Sequence, residues 1–236
     1  MRISKRVIFL SAALGLSAAA GCAATHESAS GISAVPRAQA DQMTAQHARF
    51  ENARDPRLTA QTHFAAGRLA ESQGVTRQAI VQYKHAVSID PRHLPSLYRL
   101  GVLYTQVNAY SDAIHAWNKY LTGTANDATA WSNLGYCYEL AGQPARAEEA
   151  YLRGIEMDPK NAPCRINYGL MLTRLGRERE AVAHLRAVLP PAQVHYNIAS
   201  VFEQQGRKDE AKEHYWRALD WDQNLLAARE RLSALK

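Results

Sequence analysis

Cysteine is scarce in this chain: only three occur in 236 residues. None forms a Cys-x-x-Cys pair, so a thiolate zinc site or a thioredoxin-like redox motif has no basis. A His-Glu-x-x-His stretch, a phosphate-binding loop and a Gly-rich dinucleotide fingerprint are also missing. The longest apolar run, Val7 to Ala20, is about 14 residues, short of the roughly 20 that a helix needs to span a bilayer. Acidic residues are absent from the first 21 positions, where Arg2, Lys5 and Arg6 stand. Over the whole chain Lys and Arg number 28 against 22 Asp and Glu; without that leader the count is 25 against 22. The positive excess is largely local, and no basic face remains to support nucleic-acid binding. What is present is 47% apolar and 21% charged residues, a composition that packs a core.

A basic start, a short apolar stretch and small residues at its end make residues 1–21 a secretory signal. The ending Ala19-Ala20-Gly21-Cys22 resembles a bacterial lipobox, with Ala19 where Leu is usual. That resemblance implies that Cys22 is lipidated and begins the mature chain. Several acyl chains would hold it firmly, since one alone is marginal. Ala23 in the second mature place, rather than Asp, points to the outer membrane, facing the periplasm. The alternative is cleavage near Gly21 and a soluble periplasmic protein. Residues 22–58 are rich in Ala, Ser, Gln and Thr and read as a tether, within which Gln39 to Ala53 has a thin apolar stripe suited to a short helix.

Beyond the tether the chain repeats itself. Gly67, Gly101, Gly135 and Gly169 are 34 residues apart, as are Ala79, Ala113, Ala147 and Ala181. Tyr83, Trp117, Tyr151 and Leu185 keep the same interval. This is the period and pattern of the tetratricopeptide repeat, and Trp131, Leu134, Gly135, Tyr138, Ala147, Tyr151 and Pro159 fill the third copy. The resemblance implies an all-α, right-handed superhelical solenoid over residues 59–236: five helix pairs and a C-terminal capping helix, Leu225 to Leu235. The glycines admit close approach within a pair, and the large aromatics are expected in the wedge between one pair and the next. Pro95, Pro144 and Pro163 fall in first turns, where no amide donor is lost. After the second copy, Leu121 to Asp127 should be a less regular loop, with Asp127 as N-cap. The step from Gly169 to Ala199 is 30 residues, so four have gone from a loop or a helix end.

Cys137 and Cys164 lie about a repeat apart at different heights, too far for a disulfide, and are expected as buried small hydrophobes. His85, His115, His184 and His214 occupy similar places on second helices and are expected on a solvated outer surface. Glu180 and His184 read as an ordinary surface pair, and Glu148 and Glu149 as exposed carboxylates. Leader, tether, repeats and cap account for the chain, so the expectation is a non-enzymatic protein with no cofactor and no metal.

The first helix of each pair should line the inside of the curve. Counting repeats from Ala60, Leu94, Ala128, Ala162 and Ala192, the sixth place is Ala65, Arg99, Asn133, Asn167 and Asn197. Amides in a groove hydrogen-bond both groups of a peptide backbone; the other reading is that Asn is simply habitual at this place. Tyr98, Tyr136 and Tyr196 add aromatic surface nearby, either as binding area or as core. The carboxylate clamp of chaperone-binding relatives needs Lys and Arg beside the Asn residues. Arg99 fits one such place, but inward lysines are missing.

Three features together resemble the tetratricopeptide lipoproteins of tight-adherence (Flp-type) pilus systems, over about residues 60 to 224. They are Asn133-Leu134-Gly135-Tyr136-Cys137-Tyr138, the 30-residue step, and the segment His195-Tyr196-Asn197-Ile198-Ala199-Ser200-Val201-Phe202-Glu203-Gln204-Gln205-Gly206-Arg207. That resemblance implies a scaffold for a pilus or secretion apparatus, holding a protein or peptide partner in its groove. The alternative is an envelope adaptor recruiting peptidoglycan-modifying enzymes. For the anchor, Cys22→Ala is expected to leave uncleaved precursor and to move the mature domain off the membrane, read by immunoblotting of fractions. Normal processing with membrane retention would remove the lipidated-cysteine reading.

Overall fold

The computed structural model describes residues 58–235. The signal, Cys22, the tether and the Gln39 to Ala53 segment lie outside the described residues. Eleven helices and no strand occur among the described residues. They are α1 (Ala60–Ser72), α2 (Thr76–Ile89), α3 (Leu94–Gln106), α4 (Tyr110–Gly123), α5 (Ala128–Leu140), α6 (Pro144–Met157), α7 (Ala162–Arg174), α8 (Glu178–Arg186), α9 (Pro191–Gln204), α10 (Lys208–Trp221) and α11 (Leu226–Ala234). Five antiparallel pairs and a cap stack in chain order, as the 34-residue period predicts. None of the described helices is long and apolar enough to cross a membrane.

Local chemistry sets where each helix begins. Four first helices are capped by a side chain that accepts a backbone N–H: Thr59 from Thr62, His93 from Ser96, Asp127 from Ala130 and Asn161 from Cys164. The fifth begins at Pro190-Pro191, where the ring presets the first turn. Second helices have no side-chain cap; they follow a tight turn closed by a left-handed residue. Gly74, Gly142, Gly176 and Gly206 have φ of 72 to 78°, and Asn108 takes the same place at 62°. Asn tolerates that region better than most residues with a Cβ. α4 runs on to Gly123, so the loop expected from Leu121 is only Thr124 to Asp127. Asp127 also accepts from the Tyr120 hydroxyl at 2.9 Å, which steadies that exit.

Within each pair a ring or branched chain rests on a small residue. A Cβ built on Gly135 would lie 2.7 Å from Tyr151 Cε1, and one on Gly169 2.7 Å from Leu185 Cγ. Gly67 meets Tyr83 and Gly101 meets Trp117 in the same way. The aromatics rest on the glycine of their own pair and also fill the wedge to the next one: Trp117 packs with Ala130 and Leu134, and Tyr151 with Tyr168 and Met171. The core is a series of clusters along the stack; one joins Ala70, Tyr83, Leu100 and Ala116 across the first two pairs. Such nearest-neighbour packing is the mark of a solenoid. Cys137 and Cys164 are free and fully buried. Burial pushes the Cys164 thiol up to about 11, so it stays protonated.

The 30-residue step is explained by α8, which has nine residues where the other second helices have 14. The missing residues come from the helix end, after which Leu189 leads directly into Pro190. Along the stack α3 touches α5, α5 touches α7 and α7 touches α9, while second helices make no comparable contact with one another. The first helices consequently line the inner side.

Gly135→Ala is expected to destabilise the domain. Overpacking of a tight core costs about 1–3 kcal/mol, offset only in part by the roughly 1 kcal/mol that Ala gains over Gly in a helix. The check is the urea midpoint, which should fall; an unchanged midpoint would mean that the Tyr151 ring moves aside freely.

Candidate functional site

The inner face is built from the first helices, and its most regular feature is one that the sequence reading missed. Four residues beyond each small residue stands Glu71, Thr105, Glu139, Thr173 or Glu203. Each of the three glutamates lies under the tyrosine of its own pair and an arginine from the next element. Glu71 accepts from the Tyr83 hydroxyl and from Arg99, whose Nε lies at 2.9 Å. Glu139 accepts from Tyr151 at 3.4 Å and from Arg174 at 2.6 Å. Glu203 accepts from Tyr215 at 2.8 Å and from Arg231 Nε at 3.0 Å. These clasps join the first pair to the second, the third to the fourth, and the fifth to the cap.

Burial alone would raise the Glu71 carboxyl. Hydrogen bonds from Arg99 and Tyr83, with the charges of Arg99 and Arg68, outweigh it and hold the group below the usual carboxylate range. The Tyr215 hydroxyl, buried and beside Glu203, is pushed up to about 12. The two threonines behave differently. Thr105 and Thr173 turn their hydroxyls back to the carbonyls of Gly101 and Gly169, at 2.8 and 2.9 Å. Their pairs carry Trp117 and Leu185 where the others have tyrosine, so no ring hydroxyl is available. Trp117 Nε1 is the one buried polar side-chain atom without a partner among the described residues.

The sequence-predicted residues fall along this face, each in a particular setting. Arg99 is committed to Glu71. Asn167 donates to Ser132 of the preceding pair at 3.1 Å, and Asn197 donates to the Gln193 carbonyl of its own helix at 2.9 Å. Asn133 is half-buried and makes no side-chain hydrogen bond among the described residues. Tyr98 packs edge-on against Trp117 and Tyr120, with centroids 5.0 and 5.4 Å apart. Tyr196 lies beside Tyr215 at 5.5 Å, and Tyr136 packs against the cluster of Tyr151 and Tyr168. All three tyrosines are half-buried: one edge is core and the other stays accessible.

Three expectations need correction. Glu148 is not a free surface carboxylate: Arg177 grips it at 2.9 and 3.0 Å, and the Tyr168 hydroxyl donates to it at 2.5 Å. Arg177 also holds Glu180 at 2.7 Å, so Glu180 pairs there and not with His184. His184 is half-buried, edge-on to Tyr168 at 4.6 Å, and His214 is 3% exposed. Only His85 and His115 of the four lie on the solvated surface. No group of three or more His, Cys, Asp or Glu is placed to hold a metal ion among the described residues.

Comparison with known proteins agrees with this geometry. Residues 128–161 and 192–225 each match the tetratricopeptide repeat. Over 126 residues, 52% of the chain, it is 34% identical to the general transcriptional corepressor ssn6 of Schizosaccharomyces pombe, of which that segment covers 11%. It is 26% identical over 133 residues to the ycf37 protein of Guillardia theta, covering 54% of the chain and 75% of that relative. The chain thus spans about a tenth of one relative and three quarters of the other. Among solved structures, MamA superposes with a TM-score of 0.59 at 23% identity, covering 70% of this chain and 92% of that one. YrrB, described as a TPR protein with an unusual peptide-binding site, gives 0.56 at 22%, covering 79% and 96%. PilW, described as a widely conserved type IV pilus biogenesis factor, gives 0.55 at 16%, covering 70% and 79%. The fold is a superhelical solenoid of tetratricopeptide helix pairs, a fold suited to binding proteins or peptides.

The clasp makes a separable contribution. Glu71→Gln should lower stability at neutral pH by about 1–2 kcal/mol, the range for a charged hydrogen bond weakened by solvent. Because the folded carboxyl is held low, that contribution is present above about pH 4.5 and fades as the pH falls through the lower folded value. The variant's stability should therefore vary less with pH than the parent's between about pH 5 and 3. Parallel curves in urea titrations would show that the clasp is neutral.

Proposed function

We propose that this chain is a membrane-anchored, non-enzymatic scaffold in the assembly of a pilus or secretion apparatus. It holds an extended peptide or a helix of its partner against the inner face of the solenoid, and lipid on Cys22 keeps it at the outer membrane. The observation that carries the binding reading is the composition of that face. Its three clasp carboxylates are each neutralised by an arginine of the same chain. What remains for a ligand is amide and half-exposed aromatic surface at Asn133, Asn197, Tyr98, Tyr136 and Tyr196. Such a surface favours backbone hydrogen bonds and apolar side chains over an acidic tail. The fold shared with PilW, a pilus biogenesis factor, supports the assembly role, as does the leader.

Affinity purification from mildly cross-linked, detergent-solubilised membranes, followed by mass spectrometry, tests the role. A secretin or pilus assembly proteins are expected; cell-wall enzymes in their place would favour an envelope adaptor. The groove is tested by Asn133→Ala, a cleaner probe than Asn167→Ala because Asn167 also bridges to Ser132. Loss of one or two backbone hydrogen bonds should weaken partner binding about 5- to 30-fold with thermal unfolding nearly unchanged. Unaltered affinity would mean that the Asn ladder does not contact the ligand.

A further inference from the structure

The seam between the fourth and fifth pairs lacks the Glu–Tyr–Arg clasp, since Thr173 stands in the glutamate's place and bonds its own helix. Besides the apolar packing of Leu185 against Val194 and Ile198, two polar contacts cross it. Gln205 Nε2 donates to the Arg174 carbonyl at 3.0 Å, and His214 on α10 places Nε2 3.2 Å from Glu178 Oε1 on α8. The other nitrogen of His214 is 3.3 Å from Nδ1 of His195 on α9. His214 is closed in by Phe202, 5.4 Å away between ring centroids, and is 3% exposed.

These distances fit one arrangement of protons. With Nε2–H of His214 donating to Glu178, its Nδ1 carries the lone pair and accepts from Nδ1–H of His195. Each ring then holds one proton and both are neutral. A further proton on His214 turns the 3.3 Å contact into two donors facing each other, and a proton on each ring puts two cations there. The surrounding charges offer little relief. On α8, Glu178 faces the pair and Arg186 adds positive charge. On α10, Glu213 is taken by Arg217 at 2.6 Å, and Asp220 lies nearer His195. Arg207 holds Glu210, and Arg231 of the cap is held by Glu203. Glu178 is therefore the one carboxylate in direct contact with the imidazole pair among the described residues, with Asp220, Glu213 and Glu210 acting from farther off.

We infer that the junction of the fourth and fifth helix pairs is a protonation-sensitive joint, in which the neutral Glu178–His214–His195 relay locks the fifth pair onto the fourth and protonation of the imidazole pair releases it. Burial, aided for both rings by Arg217, pushes both imidazoles below the ordinary histidine value against the opposing pull of Glu178. Groups held low in this way bind fewer protons folded than unfolded. The stabilisation is complete above about pH 6.5 and is lost as the pH falls below it. The shortened α8 gives the seam less helix to pack against, so this bridge is a larger share of what holds it. Tyr196 and Asn197 follow His195 on α9, so release would move that end of the inner face. The joint itself does not depend on the binding proposal.

Hydrogen exchange by mass spectrometry on the full chain, corrected for intrinsic rates, tests this at pH 7.5 and 5.5. Protection in α9 to α11 should fall by up to about tenfold for each imidazole kept neutral, since pH 5.5 lies about one unit below the ordinary histidine value, while α1 to α7 change little. His214→Gln should remove most of the difference, His195→Gln should reduce it because the second imidazole is gone, and His85→Gln, at the far end, should leave it intact. If the buried His214 variant does not fold, the half-buried His195 variant decides. A uniform loss of protection along the chain, or a local loss that is undiminished in His195→Gln, would overturn the joint. So would imidazole titrations by NMR that put both rings near 6.5.

Discussion

The contact on which the rest of this solenoid depends is a large side chain set directly on a residue with little or no side chain of its own. Gly67 under Tyr83, Gly101 under Trp117 and Gly135 under Tyr151 fix how near the two helices of a pair come. Once the ring lies there, its far edge reaches one turn along the first helix, to the residue four places on. In the first, third and fifth pairs that residue is glutamate and the ring is tyrosine, so the hydroxyl donates to the carboxylate. The carboxylate, already drawn partly out of water, then needs a cation. Arg99, Arg174 and Arg231 supply it from the next element. A packing constraint inside one pair thus becomes a polar tie to its neighbour.

The second and fourth pairs show the same logic by omission. Trp117 and Leu185 have no hydroxyl to offer, and a glutamate beneath them would be desolvated without its donor. Threonine stands there in both, satisfied by its own helix. The sixth place of the following pair is Asn133 in one case and Asn197 in the other, not an arginine. The amide ladder is therefore partly a record of where clasps are absent. Asn167 is the exception, since its seam is clasped through Arg174 instead and its own amide is spent on Ser132. Of the two amides at unclasped seams, Asn133 makes no side-chain hydrogen bond among the described residues, whereas Asn197 donates to the Gln193 carbonyl of its own helix.

Much of the fold was legible in the sequence because a 34-residue period acts on positions whose side chains must be small or large. Gly135, Ala147 and Tyr151 announce a helix pair before any coordinate is known, and the loss of four residues announces the shortened α8. The polar ties were harder to read. Glu71, Glu139 and Glu203 keep the same register as the glycines, but Thr105 and Thr173 interrupt them, and the matching arginines sit at two different offsets, Arg99 and Arg231 against Arg174. Their pairing depends on the ring chemistry of a third residue, a correlation that no single spacing reveals. The same reason hid Glu148 and His214, which look like solvated side chains on their own helices. Glu148 is engaged by Tyr168 and Arg177 of the next pair, and His214 is covered by Phe202 and His195 of its own pair and Glu178 of the preceding one.

Alternation between clasped and unclasped seams has a consequence for any partner of the inner face. Surface ion pairs are worth little singly, but these are partly sheltered and each is backed by a tyrosine, so they stiffen particular seams more than they raise total stability. The stack then behaves as three clasped blocks: the first two pairs, the next two, and the fifth with its cap. Asn133 and Asn197 lie at the boundaries between blocks; neither boundary has a clasp, and the second is crossed by the Gln205–Arg174 and Glu178–His214 contacts in its place. The amides proposed to contact a peptide thus lie where clasps are missing, and the clasp arginines, which would favour an acidic ligand, are held within the blocks by the chain's own carboxylates.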